Sequence, residues 1–505
     1  MVGENTSLRS AGWVSLCSLV QLILQFAFQV YLAKHFGASW EMDSYVASMA
    51  LPTAVSAVLV GSLGYAFVPQ FSRLLAQDAT RAWQLAGSMG TIQGACGMAA
   101  ALIAFVSAEF LVAWLFPGFT EARSSLAVSL LRIQCWLIVV NGFIAFLQAL
   151  HHCHKRFLLP AVAGPIGIAG TLIAAIAWEG CGMAGVAWAV VTGSTVTVLL
   201  QLPLLLRHGR FGVRLDEDLR RCLALLLPLM LGALYFRLDP LVDRYLASQL
   251  PVGSVAHLGY AWRMASAMLL ITVGGLSVVA FPSFAEHWTA GRKTEFRAEI
   301  AASMRCLSAI LVPLAFALTF YSTPLVADLF QRGAFSATDS RQVGLLLMLY
   351  AGLIIGAGVG EIVSKVFYSL SDTRTPTLLG VGTFTVGLIL KITFVERFGV
   401  SAVVAATSFY FLLSAALAVM LMVRRLGPGV LDGIGGALRR SVLASLLAAA
   451  AAWPVAGAGF PLATLVAAMW GGLVYLGAMF AQKDEFALRM GSYLSSWLGF
   501  GNRGS

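Results

Sequence analysis

Apolar stretches of roughly twenty residues, the length that crosses a bilayer as a helix, recur throughout this chain. They fall at 12–35, 46–71, 85–116, 126–150, 157–178, 184–206, 222–248, 255–284, 300–325, 342–369, 376–395, 400–423, 439–457 and 461–481. No other feature constrains the fold as strongly. A segment in hydrocarbon must satisfy its own backbone hydrogen bonds, so fourteen such segments joined by short polar loops predict an all-α polytopic membrane protein of about 14 transmembrane helices. The composition agrees, with 59% of the 505 residues hydrophobic and 11% charged, and excludes a soluble domain. The first apolar run follows "MVGENTSLRSAG" without an A-x-A-like cleavage site, so it reads as a retained helix rather than a signal peptide.

The net charge of +10 invites a nucleic-acid reading, but a membrane protein concentrates Lys and Arg in its cytoplasmic loops. With the N-terminus inside, about twenty Lys and Arg fall in or beside inner loops and about five in outer ones. The inner group includes Arg73, Arg81, Lys155, Arg156, Arg292, Arg297, Arg424 and Arg440. An even number of spans then places both termini in the cytoplasm, and no nucleic-acid partner is implied. The seven cysteines are scattered without C-x-x-C spacing, and "HHCHK" at 151–155 lacks a second ligand group, so it reads as a basic loop rather than a metal site. No G-x-x-x-x-G-K-[ST] loop is present, which argues against ATP. No outer loop exceeds roughly twenty residues, which leaves little room for a catalytic domain. No cofactor is implied.

The halves are self-similar. "YLAKHFGASWEMDSYVASM" (31–49) and "YLASQLPVGSVAHLGYAWRM" (245–264) share Tyr-Leu-Ala, a glycine-containing turn and a later Tyr-x-Ala, and "FVPQF" (67–71) returns as "AFPSF" (280–284). The expected organisation is a six-helix lobe over 1–215, a second over 216–425, and a linker, two-helix hairpin and tail over 426–505. Repeats of this kind imply a transport path between two bundles with alternating access.

Charges inside the spans mark the candidate site, because each costs roughly 2.5–3.5 kcal/mol to insert and needs a cavity, a partner or a pathway. "YFRLDPLVDRY" (235–245) places Arg237, Asp239, Asp243 and Arg244 in one span. At about 1.5 Å per residue, Arg237 and Arg263 fall at similar depths, roughly 13–20 Å below the outer turn. Two guanidiniums at one level suit a phosphate or pyrophosphate. The same charges could instead form a buried structural network, and Asp239 and Asp243, four apart on one face, could carry a coupling cation or proton. Glu361 and Lys365 read as an i,i+4 pair, Lys391 as a lysine snorkelling near an outer helix end, and Gly61, Gly64, Gly356, Gly358 and Gly360 as positions for close helix packing or bending.

At "FGASWEMDSYVASMALP" and "GYAFVPQF" the chain resembles the MurJ/MviN family of lipid II flippases. Further agreement lies in "HKRFLLPA" (154–161), "LVDRYLASQLPVGSVAHLGYAWRM" (241–264), "LFQRGAFSATDS" (329–340) and "VFYSLSDTRTPT" (366–377). The resemblance implies fourteen helices, two six-helix lobes, a cationic cavity, and a last hairpin shaping a groove for a lipid tail. It departs in one place: the family's first two helices normally carry arginines, whereas "SLVQLILQFAFQV" (18–30) and "LPTAVSAVLVGS" (51–62) carry none, and Gln21, Gln25 and Gln29 stand on one face instead.

The resulting expectation is a bacterial cytoplasmic-membrane flippase for an undecaprenyl-pyrophosphate-linked glycan, by default lipid II. Arg237, Arg263 and Arg244 would hold pyrophosphate, Gln21, Gln25 and Gln29 would contact sugar, and Asp43, Asp239 and Asp243 would gate or couple. The partners are a lipid-linked oligosaccharide, membrane lipid and a monovalent cation or proton. Alternatives are a flippase for an exopolysaccharide or surface-glycan unit, and a cation-coupled multidrug exporter of the same superfamily. A membrane glycosyltransferase would need outer carboxylates, and Glu121, Asp328, Asp339 and Glu396 are isolated in the text.

Overall fold

A computed structural model describes residues 2–208, 212–214, 216–226, 238–458, 462–482 and 484, with side chains for all of these except 2–11, 59–66 and 273–280. Every regular element among the described residues is helical. Eleven spans among them are long and apolar enough to cross a membrane. The other three expected windows, 46–71, 222–248 and 255–284, run through residues outside the described set or without described side chains. Continuous helices Ala50–Gln77 and Ser254–Thr289 nonetheless occupy two of those windows.

The chain divides into two compact units, Met1–Ala256 and His257–Ser505. In the first, Phe67, Phe71, Trp83 and Phe146 are buried together among Leu74, Leu85 and Leu147. The Phe67 ring lies 5.3 Å from Phe71 and 5.2 Å from Phe146, tilted contacts that add to the burial of large apolar rings. "HHCHK" forms the adjoining helix end: His151 is buried with Nε2 3.1 Å from the Gln201 carbonyl, and His154 stacks on Trp83 at 5.2 Å. Burial, and then the charges of Arg156 and His208, hold the His154 pKa below its ordinary value. Among the described residues no group of three His, Cys, Asp or Glu is placed to hold a metal.

Helices Leu158–Ala177 and Gly182–Gln201 pack through a seam of small residues. A Cβ on Gly167 would lie 2.7 Å from the Gly193 carbonyl oxygen, and one on Gly193 would lie 2.7 Å from the Thr171 amide. Gly167 with Thr171 and Gly193 with Thr197 are each four apart, the spacing that lets membrane helices approach backbone to backbone. Backbone cannot give way as a side chain can. Gly193→Leu is therefore expected to cost at least the 1–3 kcal/mol of an overpacked core, read as a lower melting temperature in detergent and less protein in the membrane.

In the second unit the last two helices, Ile434–Ala456 and Ala463–Ala481, dock on Lys293–Phe330. Tyr475 donates to the Ala309 carbonyl at 2.8 Å, Tyr321 donates to the Ala449 carbonyl, and Asp328 accepts from the Thr464 amide at 2.6 Å. Lys391, expected to snorkel, is instead fully buried, with Nζ 5.6 Å from the Tyr410 ring centroid. The reason is geometric. Helix Arg374–Phe398 turns this residue toward Val400–Leu426 rather than toward an interface.

Candidate functional site

Asp43 shows how the sequence builds a buried charge. Helix 12–36 ends at Gly37, whose φ of +55° takes the left-handed turn that suits glycine. Ser39 then caps the next helix by accepting from the Met42 amide at 3.3 Å. That start points Asp43 inward at 0% exposure. Its carboxylate accepts from Arg123 Nη1 at 3.2 Å, the Gly253 amide at 2.7 Å and the Ala256 amide at 2.8 Å. The two amides belong to the first turn around Ser254, where a helix N-terminus attracts a carboxylate. Arg123 is itself 5% exposed, donates to the Gly118 carbonyl at 3.2 Å, and stacks 4.7 Å over Phe119. Gly118 admits the 248–249 turn so closely that a Cβ there would meet Gln249 Cα at 2.5 Å.

Arg123 is a buried partner that no sequence pattern singles out. Asp43 falls between the apolar windows 12–35 and 46–71, two residues after Glu41, so nothing in the sequence marks it as a buried acid in need of a cation.

Of the charges in "YFRLDPLVDRY", Arg237 lies outside the described residues. The rest sit on helix Asp239–Ser248, which packs against Trp40–Ser48 and Ala50–Gln77. Asp243 is 7% exposed, Asp239 and Arg244 are half-buried, and Arg244 Nη1 donates to the Pro240 carbonyl at 3.2 Å. Asp43, Asp239, Asp243, Arg244 and Arg263 all make interactions beyond those just given. Arg263 is half-buried in the second unit, on Ser254–Thr289.

The three glutamines share a helix face but not an environment. Gln21 is half-buried against Gly164, where a Cβ would lie 3.0 Å from its Cδ; Gln25 is exposed; Gln29 is 6% exposed, and its Oε1 has no partner among the described residues. Helix spacing alone could not separate them, because burial depends on what packs against each turn. Glu361 and Lys365 form the expected pair at 3.4 Å, and Lys365 lies 5.3 Å from the Phe281 centroid.

Two stretches that carry the resemblance are turn-and-cap motifs. In "LFQRGAFSATDS", Gly333 turns at φ +61°, and Ser336 and Asp339 form a capping box on Ala337–Leu349. Asp339 Oδ1 also lies 2.8 Å from His257 Nε2, so this carboxylate is not isolated. In "VFYSLSDTRTPT", Asp372 accepts from the Thr375 amide at 3.0 Å and the Thr375 hydroxyl at 2.8 Å, and pairs with Arg425. Those Thr375 bonds, then Arg425, hold its carboxyl below the ordinary range. Each motif starts a membrane helix at a fixed place.

A sequence model of the family described as "Lipid II flippase MurJ" matches residues 32–486, most of the chain and both compact units. The chain belongs to the MurJ family. It is 26% identical over 404 residues to "Lipid II flippase MurJ" of Burkholderia cenocepacia, covering 76% of this chain and 78% of that protein. It is 24% identical over 431 residues to "Probable lipid II flippase MurJ" of Vibrio cholerae, covering 81% and 82%.

Among solved structures it superimposes on "Lipid II flippase MurJ, inward closed conformation" with a TM-score of 0.79 at 19% identity, over 93% of this chain and 99% of that one. An inward-facing multidrug resistance MATE family transporter of the MOP superfamily gives 0.71 at 15% identity, over 81% and 95%. At these identities the two structures establish the fold alone, common to the solved MurJ and the solved MATE family transporter. The family match over 32–486 establishes the family. The protein is a multi-pass bacterial membrane protein of the lipid II flippase family.

Proposed function

We propose that this chain translocates lipid II, the undecaprenyl-pyrophosphate-linked precursor of peptidoglycan, from the inner to the outer leaflet by alternating access, as a transporter rather than an enzyme. The observation that carries this is the family match over 32–486. Arg263 on the second unit, with Arg237 and Arg244, holds the pyrophosphate through charge-assisted hydrogen bonds. Gln25, by its exposure, and Gln29, by its spare Oε1, are the better placed of the glutamines to meet sugar hydroxyls. Asp43 acts as a gate element, supported by its grip on two backbone amides and Arg123. Asp239 and Asp243 are the candidates for ion coupling, and both termini lie in the cytoplasm. The outer carboxylates Asp328 and Asp339 are engaged by the Thr464 amide and by His257 and Ser336, which favours transport over bond chemistry.

Expression of this chain in a bacterium depleted of its own lipid II flippase is expected to restore growth and cell shape. A second reading has one specific support, the absence of arginine from 18–30 and 51–62: a different lipid-linked glycan. Failure to rescue, together with loss of a surface polysaccharide when the native gene is deleted, would establish that reading instead.

A further inference from the structure

We infer that the second unit carries a binding groove for one anionic glycerophospholipid. The geometry begins with three glycines one turn apart on helix Ala351–Ser369: Gly352, Gly356 and Gly360. At the first two, helix Val400–Leu426 presses close, since a Cβ on Gly352 would lie 2.8 Å from Ser408 Cβ and one on Gly356 would lie 2.7 Å from the Leu412 amide. At Gly360, expected to pack closely or bend, a Cβ would meet nothing within 4 Å, so this glycine is not a close-packing position. The two helices part beyond Gly356. A groove of about 630 Å³ opens there, lined by Val359, Leu412, Ala416, Val419, Met420 and Leu431, within the roughly 300–1,000 Å³ usual for small-ligand sites.

The wall is apolar until Arg424, which ends the lining along the helix. From Leu412 to Arg424 the helix rises roughly 18 Å, close to half of the roughly 30 Å hydrocarbon thickness. The groove is one leaflet deep, with a cation at headgroup level. The neighbouring arginine is already committed, since Arg425 pairs with Asp372. The Arg424 side chain has no ion pair or hydrogen bond among the described residues. Past it, Gly427 at φ +87° turns the chain into the short 3-10 helix Pro428–Leu431, which places Leu431 in the lining. An acyl chain lying along Leu412 to Val423 with its phosphate at Arg424 satisfies both ends. By the positive-inside rule the leaflet is the cytoplasmic one. A polyprenyl chain is far longer than this groove, and a zwitterionic headgroup offers a phosphate but leaves the arginine's net positive charge uncompensated.

The test uses the full-length protein in neutral detergent, titrated with dioleoyl phosphatidylglycerol or dioleoyl phosphatidylcholine. Retention is read by native mass spectrometry and by the shift in melting temperature. Phosphatidylglycerol is expected to be retained about fivefold better, the preference one arginine near an anionic headgroup confers. Arg424→Gln removes the preference. Ala416→Trp, at an exposed lining position, abolishes tight retention with Arg424 intact, and Met420→Trp gives the same readout should that variant not fold. Equal retention of the two lipids overturns the proposal, as do groove-filling variants that bind phosphatidylglycerol like the wild type. Displacement of phosphatidylglycerol by equimolar undecaprenyl phosphate would assign the groove to a polyprenyl chain and overturn it as well.

Discussion

Asp43→Ala is expected to remove most of the folded protein from the membrane. The change leaves Arg123 buried without its carboxylate, a loss of about 3–5 kcal/mol for a broken buried pair. It also strips an acceptor from the Gly253 and Ala256 amides, about 1–3 kcal/mol for each donor left without one. Against a typical stability of about 5–15 kcal/mol, that sum is enough to unfold the unit. Arg123→Leu in the same chain should recover part of the loss, because the stranded charge is gone and the two sites couple. Protein level in membranes and melting temperature in detergent give the measurement. Asp43→Ala accumulating and melting like the wild type while transport stops would show a gate element with no structural share.

Arg263→Ala is expected to have the opposite signature, with protein level nearly normal and transport lost. Arg263 is half-buried on a long helix, so removing it leaves no closed cavity, whereas a phosphate would lose a planar fork of donors. Hydrogen bonds to charged groups are worth about 1.5–3 kcal/mol each, so two of them correspond to a hundredfold or greater drop in translocation, at about 1.4 kcal/mol per factor of ten. Arg263→Lys keeps the charge but not the fork and should fall between. Rate and membrane level falling in proportion would make Arg263 part of a structural network instead.

Helix placement was largely legible because hydrocarbon permits so little else, and eleven of the expected windows return as spans among the described residues. Single-residue breaks at Ser107, Cys135 and Tyr350 were not legible, since apolar text runs through each without a proline or glycine at the junction. The site was legible as a set of residue types and illegible as a geometry. Asp43 stood out only through the family resemblance, since it lies between two apolar windows, and Arg123 sits eighty positions away beside a loop where an arginine looks ordinary. Lys391 erred the other way. Its distance from a helix end suggested an interface, but which face of the helix it occupies sets its burial, and only packing against Val400–Leu426 decides that. The motifs "LFQRGAFSATDS" and "VFYSLSDTRTPT" identified the family before their mechanical role as caps was visible, because a capping box is defined by hydrogen bonds.

This chain is expected to move lipid II across a bilayer without any partner protein. The most direct measurement is the leaflet distribution of fluorescent lipid II in proteoliposomes containing the purified chain, with and without an imposed potential. A pyrophosphate diester carries about two negative charges, so its movement from an inside-negative compartment gains roughly 4–5 kcal/mol per 100 mV. Protein-dependent translocation that accelerates with that potential, and that Arg263→Ala abolishes, is the predicted result. Lipid II remaining in its original leaflet, with the folded protein present and the potential applied, would contradict it.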